Sequence, residues 1–231
     1  MAKNTYQTYT EETPLDTYRE DFIRRGAMCG ALAQRYPGLA AVGAEANAIV
    51  AEIDARRAAL QSAEDDQIRA RAIEDAEKLD VVDIYTELRR TIAVKSPEDA
   101  LTLLPDAPSA LRRLGAATFT ERTSAAISNL QTLPVDDPLR VAFLDKLTKE
   151  LAEFSKADKN EDKTRLALQS GKVALTLYKS ELSQVRESAL GTIQSILKDR
   201  EKTALFTIPW RKTSRAGAAA APETPAPQTT P

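Results

Sequence analysis

Glu74, Asp75, Glu77 and Asp80 fall within one short stretch and are the kind of groups that hold a hard cation or exchange protons. Arg69, Arg71 and Lys78 interleave with them, and the spacing is not that of a calcium-binding loop. Alternating charge of this kind on a helix marks a solvated face, so neither a metal centre nor an acid–base pair is expected there. Ser170-Gly171-Lys172-Val173 contains the Gly-Lys pair of a phosphate-binding loop. Leu166 stands where that loop needs its first glycine, and Val173 stands where a hydroxyl must meet magnesium, so the match is coincidental.

The chain has no histidine and one cysteine, Cys29. Ser–His–Asp and Cys–His catalysis therefore have no base, and a tetrahedral zinc site has no ligand set. A di-iron helical bundle would need Glu-x-x-His pairs, which cannot be written with these residues. The expectation is a non-enzymatic protein with no cofactor, no metal and no small-molecule substrate.

These absences direct attention to the elements themselves. Hydrophobic residues make up 42% and charged residues 29% of the 231, with aromatics at only 5%. A core built from Leu, Ile, Val and Ala suits helix-on-helix packing. The net charge of −2 gives no field that would draw in nucleic acid, and none is expected as a partner. No apolar segment reaches the ~20 residues that span a bilayer, and the first residues lack the apolar core of a secretory signal. With a single cysteine, these features point to a cytoplasmic protein.

Residues 1–14 read as a flexible arm carrying Tyr6 and Tyr9. A first helix is predicted from about Asp16 to Tyr36, stopped by Pro37-Gly38, with Gly26 and Gly30 letting another helix approach. Leu39, Val42, Ala46, Ile49, Ile53, Arg56 and Leu60 then step by threes and fours, the pattern of a packing seam. The stripe resumes as Val81, Tyr85, Leu88 and Ile92. Between the two lies Ser62-Ala63-Glu64-Asp65-Asp66, read as a reversal between two antiparallel helices in preference to one long rod.

Ser96-Pro97-Glu98-Asp99 is a strong stop and restart, because serine caps, proline fits the first turn and acids suit the helix dipole. Short elements around Pro105 and Pro108 precede a helix from Ala116 to Leu133. Pro134 and Pro138 bracket a connection in which Asp136 and Asp137 are available as caps. Leu144, Leu147, Leu151 and Phe154 form a further seam, interrupted at Asp158-Lys159-Asn160-Glu161-Asp162. Leu182, Val185, Ala189, Ile193 and Ile196 form the last, on a helix continuing to about Ala204.

The fold expected is all-α, an elongated antiparallel helical bundle over 15–205. It admits two pseudo-repeated halves, 15–95 and 116–205, which share an order of helices and breaks but almost no residue identity.

Beyond the bundle, 206–215 is a candidate docking segment, and 216–231 is an Ala/Pro/Thr tail of disordered composition. Leu205, Phe206, Ile208 and Trp210 stand beside Arg211, Lys212 and Arg215. Three readings are open: a helix end folded back on its own bundle, a peptide docking on a protein partner, or a membrane-interface contact. The function expected is a structural or adaptor protein that self-associates or joins a larger assembly. The alternative is a peripheral membrane or regulatory binding protein working through the same segment.

Overall fold

A computed structural model describes residues 9–208, in which all regular structure is helical. In chain order the helices are α1 (Leu15–Leu32), α2 (Leu39–Lys95), α3 (Pro97–Leu103), α4 (Pro108–Leu111), α5 (Ala116–Thr132), α6 (Pro138–Leu197) and α7 (Arg200–Ala204). No helix among the described residues is long and apolar enough to cross a membrane.

The two breaks expected within the long helices do not occur. α2 runs without interruption through 62–66 and α6 through 158–162. In α2, Gln61 donates to Asp65 at 3.0 Å and Arg69 pairs with Asp66 at 3.1 Å, both along the helix surface. In α6, Arg165 pairs with Asp162 and lies 3.6 Å from Glu161. Spacings of three and four residues let such acids support a helix as readily as cap one. The charged runs therefore need a glycine or proline beside them to become turns, and neither run has one.

The chain divides into two compact units, residues 1–54 with 177–231 and residues 55–176. Each unit thus takes segments from both of the halves read in the sequence. In the first unit, α1 packs with the start of α2 and the end of α6 around Cys29, Leu39, Val42, Ala189, Ile193 and Phe206. Residues 9–14, expected within a flexible arm, are held here. Tyr9 is buried, its ring edge-on to Tyr18 at 5.0 Å, and Tyr18 donates to the Thr10 carbonyl at 3.0 Å.

The close approach between α1 and α2 uses Gly26 and Gly43, whereas the sequence pointed to Gly26 and Gly30. A Cβ on Gly43 would lie 2.9 Å from Cys29 Cβ, and the Gly26 carbonyl oxygen would be 3.6 Å away. Gly30 has nothing within 4 Å of where its Cβ would be. Gly43→Val is therefore expected to cost about 1–3 kcal/mol through overpacking. Gly30→Ala should be neutral or stabilise by up to ~1 kcal/mol, because alanine is the better helix former. Urea denaturation of the two variants checks the contrast, and equal effects would refute it.

The second unit holds the larger aromatic core. Phe119 on α5 meets Phe154 on α6 at 4.8 Å between ring centroids, with Leu88, Leu104, Leu111 and Leu147 fully buried around them. Tyr85 donates to the Asp106 carbonyl at 3.1 Å, and Arg89 to the Leu104 carbonyl at 2.7 Å. Together these bonds fasten the irregular 104–107 segment to α2. Burial first, then the nearby Asp106 charge, pushes the Tyr85 hydroxyl up to about 12. A raised tyrosine favours the folded state fully below its ordinary value near 10. That contribution is lost as pH climbs from there through about 12.

Candidate functional site

The C-terminal segment singled out in the sequence begins as part of the fold. Asp199 caps α7, its side chain accepting from the N–H groups of Glu201 and Lys202 at 3.0 Å each. Lys198 takes a left-handed conformation (φ 53°) that turns the chain out of α6. Phe206 is 1% exposed and joins the core of the first unit, and Thr207 is buried beside it. Leu205 is exposed, but its carbonyl accepts from Arg24 Nε at 2.8 Å. Ile208 is half-buried, and its N–H donates to Asp21 Oδ1 at 3.1 Å. Trp210, Arg211, Lys212 and Arg215 lie outside the described residues, as does the 216–231 tail.

Asp21 belongs to a charged network that the sequence did not disclose. Its Oδ2 accepts from Arg25 Nη2 at 2.7 Å and from Arg186 Nε at 3.1 Å, and all three side chains are essentially inaccessible to water. Burial pulls the Arg25 pKa down, opposed by Asp21 and reinforced by the second cation, Arg186. Aromatic faces share the load: the Arg186 guanidinium sits 4.0 Å from the Tyr9 ring centroid and that of Arg25 4.7 Å from Phe22. The spacing of Asp21 and Arg25 is visible in the sequence, but such pairs normally face solvent, and nothing there points to Arg186.

The carboxylates considered for chemistry lie along the second unit. Glu77, Asp80 and Glu150 bring oxygens within 4.8 Å of one another, and Lys149 pairs with Glu150 at 3.1 Å. Glu74 faces Asp158 and Glu161 from α6. Burial, then those charges, raises its pKa. Asp75 is exposed. Gly171 and Lys172 sit inside α6, where Lys172 approaches Glu64 at 3.9 Å, so no loop forms around them.

One end of the second unit carries a groove of about 390 Å³. Its apolar floor is Ile92 from α2, Leu103 from α3, and Leu133 and Leu139 from either side of the α5–α6 connection. Asp99, Thr102 and Asp137 complete its wall. Local sequence builds the groove directly. Ser96 caps α3, accepting from the Asp99 N–H at 3.3 Å, and Pro97 occupies the first turn. Asp137 Oδ1 accepts from the Leu139 N–H at 2.8 Å at the start of α6. Asn129 donates to the Leu103 carbonyl at 2.9 Å and ties α5 to α3.

The sequence neighbours of the lining residues include exposed aliphatic and acidic side chains. Val94 (87% exposed), Val135 (76%), Val141 (68%) and Leu101 (59%) stand one or two residues from floor and wall positions. Glu98, Asp99, Asp136 and Asp137 add four carboxylates around the same turns. The sequence offered Asp136 and Asp137 as caps, and Glu98 and Asp99 as first-turn acids that suit the helix dipole. Asp137 does cap the start of α6, and both it and Asp99 also line the groove.

The chain matches no protein-family model, no curated protein and no solved structure. The reading of its function therefore rests on its own geometry.

Proposed function

We propose that this protein is a non-enzymatic helical scaffold that self-associates as part of a larger assembly. The observation that carries the reading is the apolar groove between α2, α3 and the α5–α6 connection, lined by Ile92, Leu103, Leu133 and Leu139. Aliphatic side chains lining an open groove favour a partner surface that removes them from water. The capped, proline-bounded turns hold that groove in place before any partner arrives, so little ordering cost opposes binding. The lone cysteine, buried at Cys29, suits a reducing compartment, and we place the protein in the cytoplasm.

Sedimentation velocity across micromolar concentrations tests the proposal. A mass at least twice the 25.3 kDa of one chain, rising with concentration, is the expected result. A strict monomer at every concentration would overturn self-assembly. Vesicle binding in its place would favour the peripheral-membrane alternative.

A further inference from the structure

The groove in the second unit selects its occupant by charge as well as by shape. Its floor is aliphatic, from Ile92, Leu103, Leu133 and Leu139, and its 390 Å³ is within the range of pockets that bury a compact organic group. Asp99 and Asp137 line it, Glu98 and Asp136 are their exposed neighbours in sequence, and among the described residues none of these four carboxylates is paired with a base. Arg140, on the first turn of α6, is committed elsewhere, donating to the carbonyls of Gln131 and Leu133 at 3.1 and 2.7 Å. An occupant must therefore offer one large apolar group to the floor and positive charge, without acids, to the margin.

The chain itself contains such a segment. Pro209-Trp210-Arg211-Lys212-Thr213-Ser214-Arg215 carries the single tryptophan, three bases and no acid. It follows directly on Ile208, whose N–H is fixed to Asp21 in the first unit. Phe206 is already committed to the core there, which leaves Trp210 as the aromatic group of the segment.

We propose that residues 209–215 of one copy dock in the groove of a second copy, Trp210 on the aliphatic floor and Arg211, Lys212 and Arg215 against the acidic margin. This rests on the self-assembly reading and specifies its interface. Tryptophan and arginine are the side chains that most often dominate an interface, and opposite charge at the margin sets the register. Segment and groove are different surfaces, so the contact is heterologous and each copy keeps one donor and one acceptor. Repetition then extends an assembly until rotation closes it into a ring.

A charge-exchange experiment in the full chain tests this. One variant carries Asp99→Lys and Asp136→Lys, sparing Asp137 because it caps α6. The other carries Arg211→Glu and Lys212→Glu. Each alone is expected to self-associate roughly tenfold or more weakly than the native chain, because like charges then face one another. An equimolar mixture is expected to recover the mass, since each groove meets a complementary segment from the other variant. Docking within one chain would not produce that recovery. Trp210 supplies an independent readout as the only tryptophan: its emission should shift to the blue with concentration, and the shift should vanish in either variant. Circular dichroism melts establish that both variants fold; if the groove variant melts early, Asp99→Asn with Asp136→Asn replaces it.

If the native chain assembles and both variants assemble equally well, the interface lies elsewhere and this inference fails while the scaffold reading stands. If both variants dissociate but the mixture does not reassemble, the pairing is wrong. A native chain that is monomeric throughout overturns both readings.

Discussion

Asp21→Ala is expected to destabilise the first unit by about 3–5 kcal/mol, the range found when one member of a buried ionic network is removed. The loss goes beyond two hydrogen bonds. Asp21 Oδ2 holds Arg25 at 2.7 Å and Arg186 at 3.1 Å, while Oδ1 receives the Ile208 N–H at 3.1 Å. Without the carboxylate, two guanidinium groups remain buried, and arginine cannot shed its proton to escape. The network also predicts an asymmetry. Two cations share one carboxylate, so Arg186→Met removes the surplus charge and leaves Asp21 and Arg25 matched one to one. That substitution loses the stacking of Arg186 on Tyr9 at 4.0 Å, worth about 1–2 kcal/mol when desolvated, but regains the cost of burying a cation. Its net effect should stay within ~1 kcal/mol of zero. Urea denaturation monitored by circular dichroism measures both, and a cost for Arg186→Met equal to that of Asp21→Ala would show the charges to be independent.

The same network shows where reading along the chain stops. Elements bounded by proline, glycine or a serine cap were legible: Ala116–Thr132 falls within one residue of expectation, and Ser96 caps α3 as its spacing requires. Those signals are local, because backbone groups at a helix end need a partner within a few residues. The runs at 62–66 and 158–162 were misread as breaks because an acid that caps a turn and an acid that pairs along a helix have the same identity. Only what lies across from them decides. Gln67 donates to Glu161 at 3.2 Å, joining α2 to α6 beside both runs, and this contact has no signature in either segment alone. Asp21 and Arg186 meet across 165 positions of sequence, and the groove collects side chains from α2, α3 and α6 in the same way. The candidate segment at 205–215 was legible as composition, which left a fold-back onto its own bundle as one of three readings; Phe206 and Ile208 follow that reading, because of the core Phe206 enters.

Truncation after Thr203 and truncation after Ile208 are expected to behave as different experiments. The shorter chain loses Phe206, 1% exposed among Cys29, Leu39, Val42, Ala189 and Ile193, together with the bond from Ile208 to Asp21. Removing a buried phenylalanine side chain costs about 3–5 kcal/mol. The lost Ile208 donor adds to that, since hydrogen bonds to charged groups contribute about 1.5–3 kcal/mol each. Melting should fall by roughly 10 °C or more for a chain of this size. The longer chain keeps the anchor, the bond to Asp21 and the Arg24 contact with the Leu205 carbonyl, so its melting temperature should match that of the full chain. It loses 209–231, which holds Trp210, the three bases and the Ala/Pro/Thr tail, and with them the proposed occupant of the groove. Differential scanning calorimetry and sedimentation on the two truncations therefore separate folding from assembly. A longer truncation that melts early would assign 209–215 to the core of its own chain. One that melts normally yet assembles fully would remove the segment from the interface. The expected result is a stable chain that no longer finds its neighbour, because the contacts described up to Ile208 are all retained.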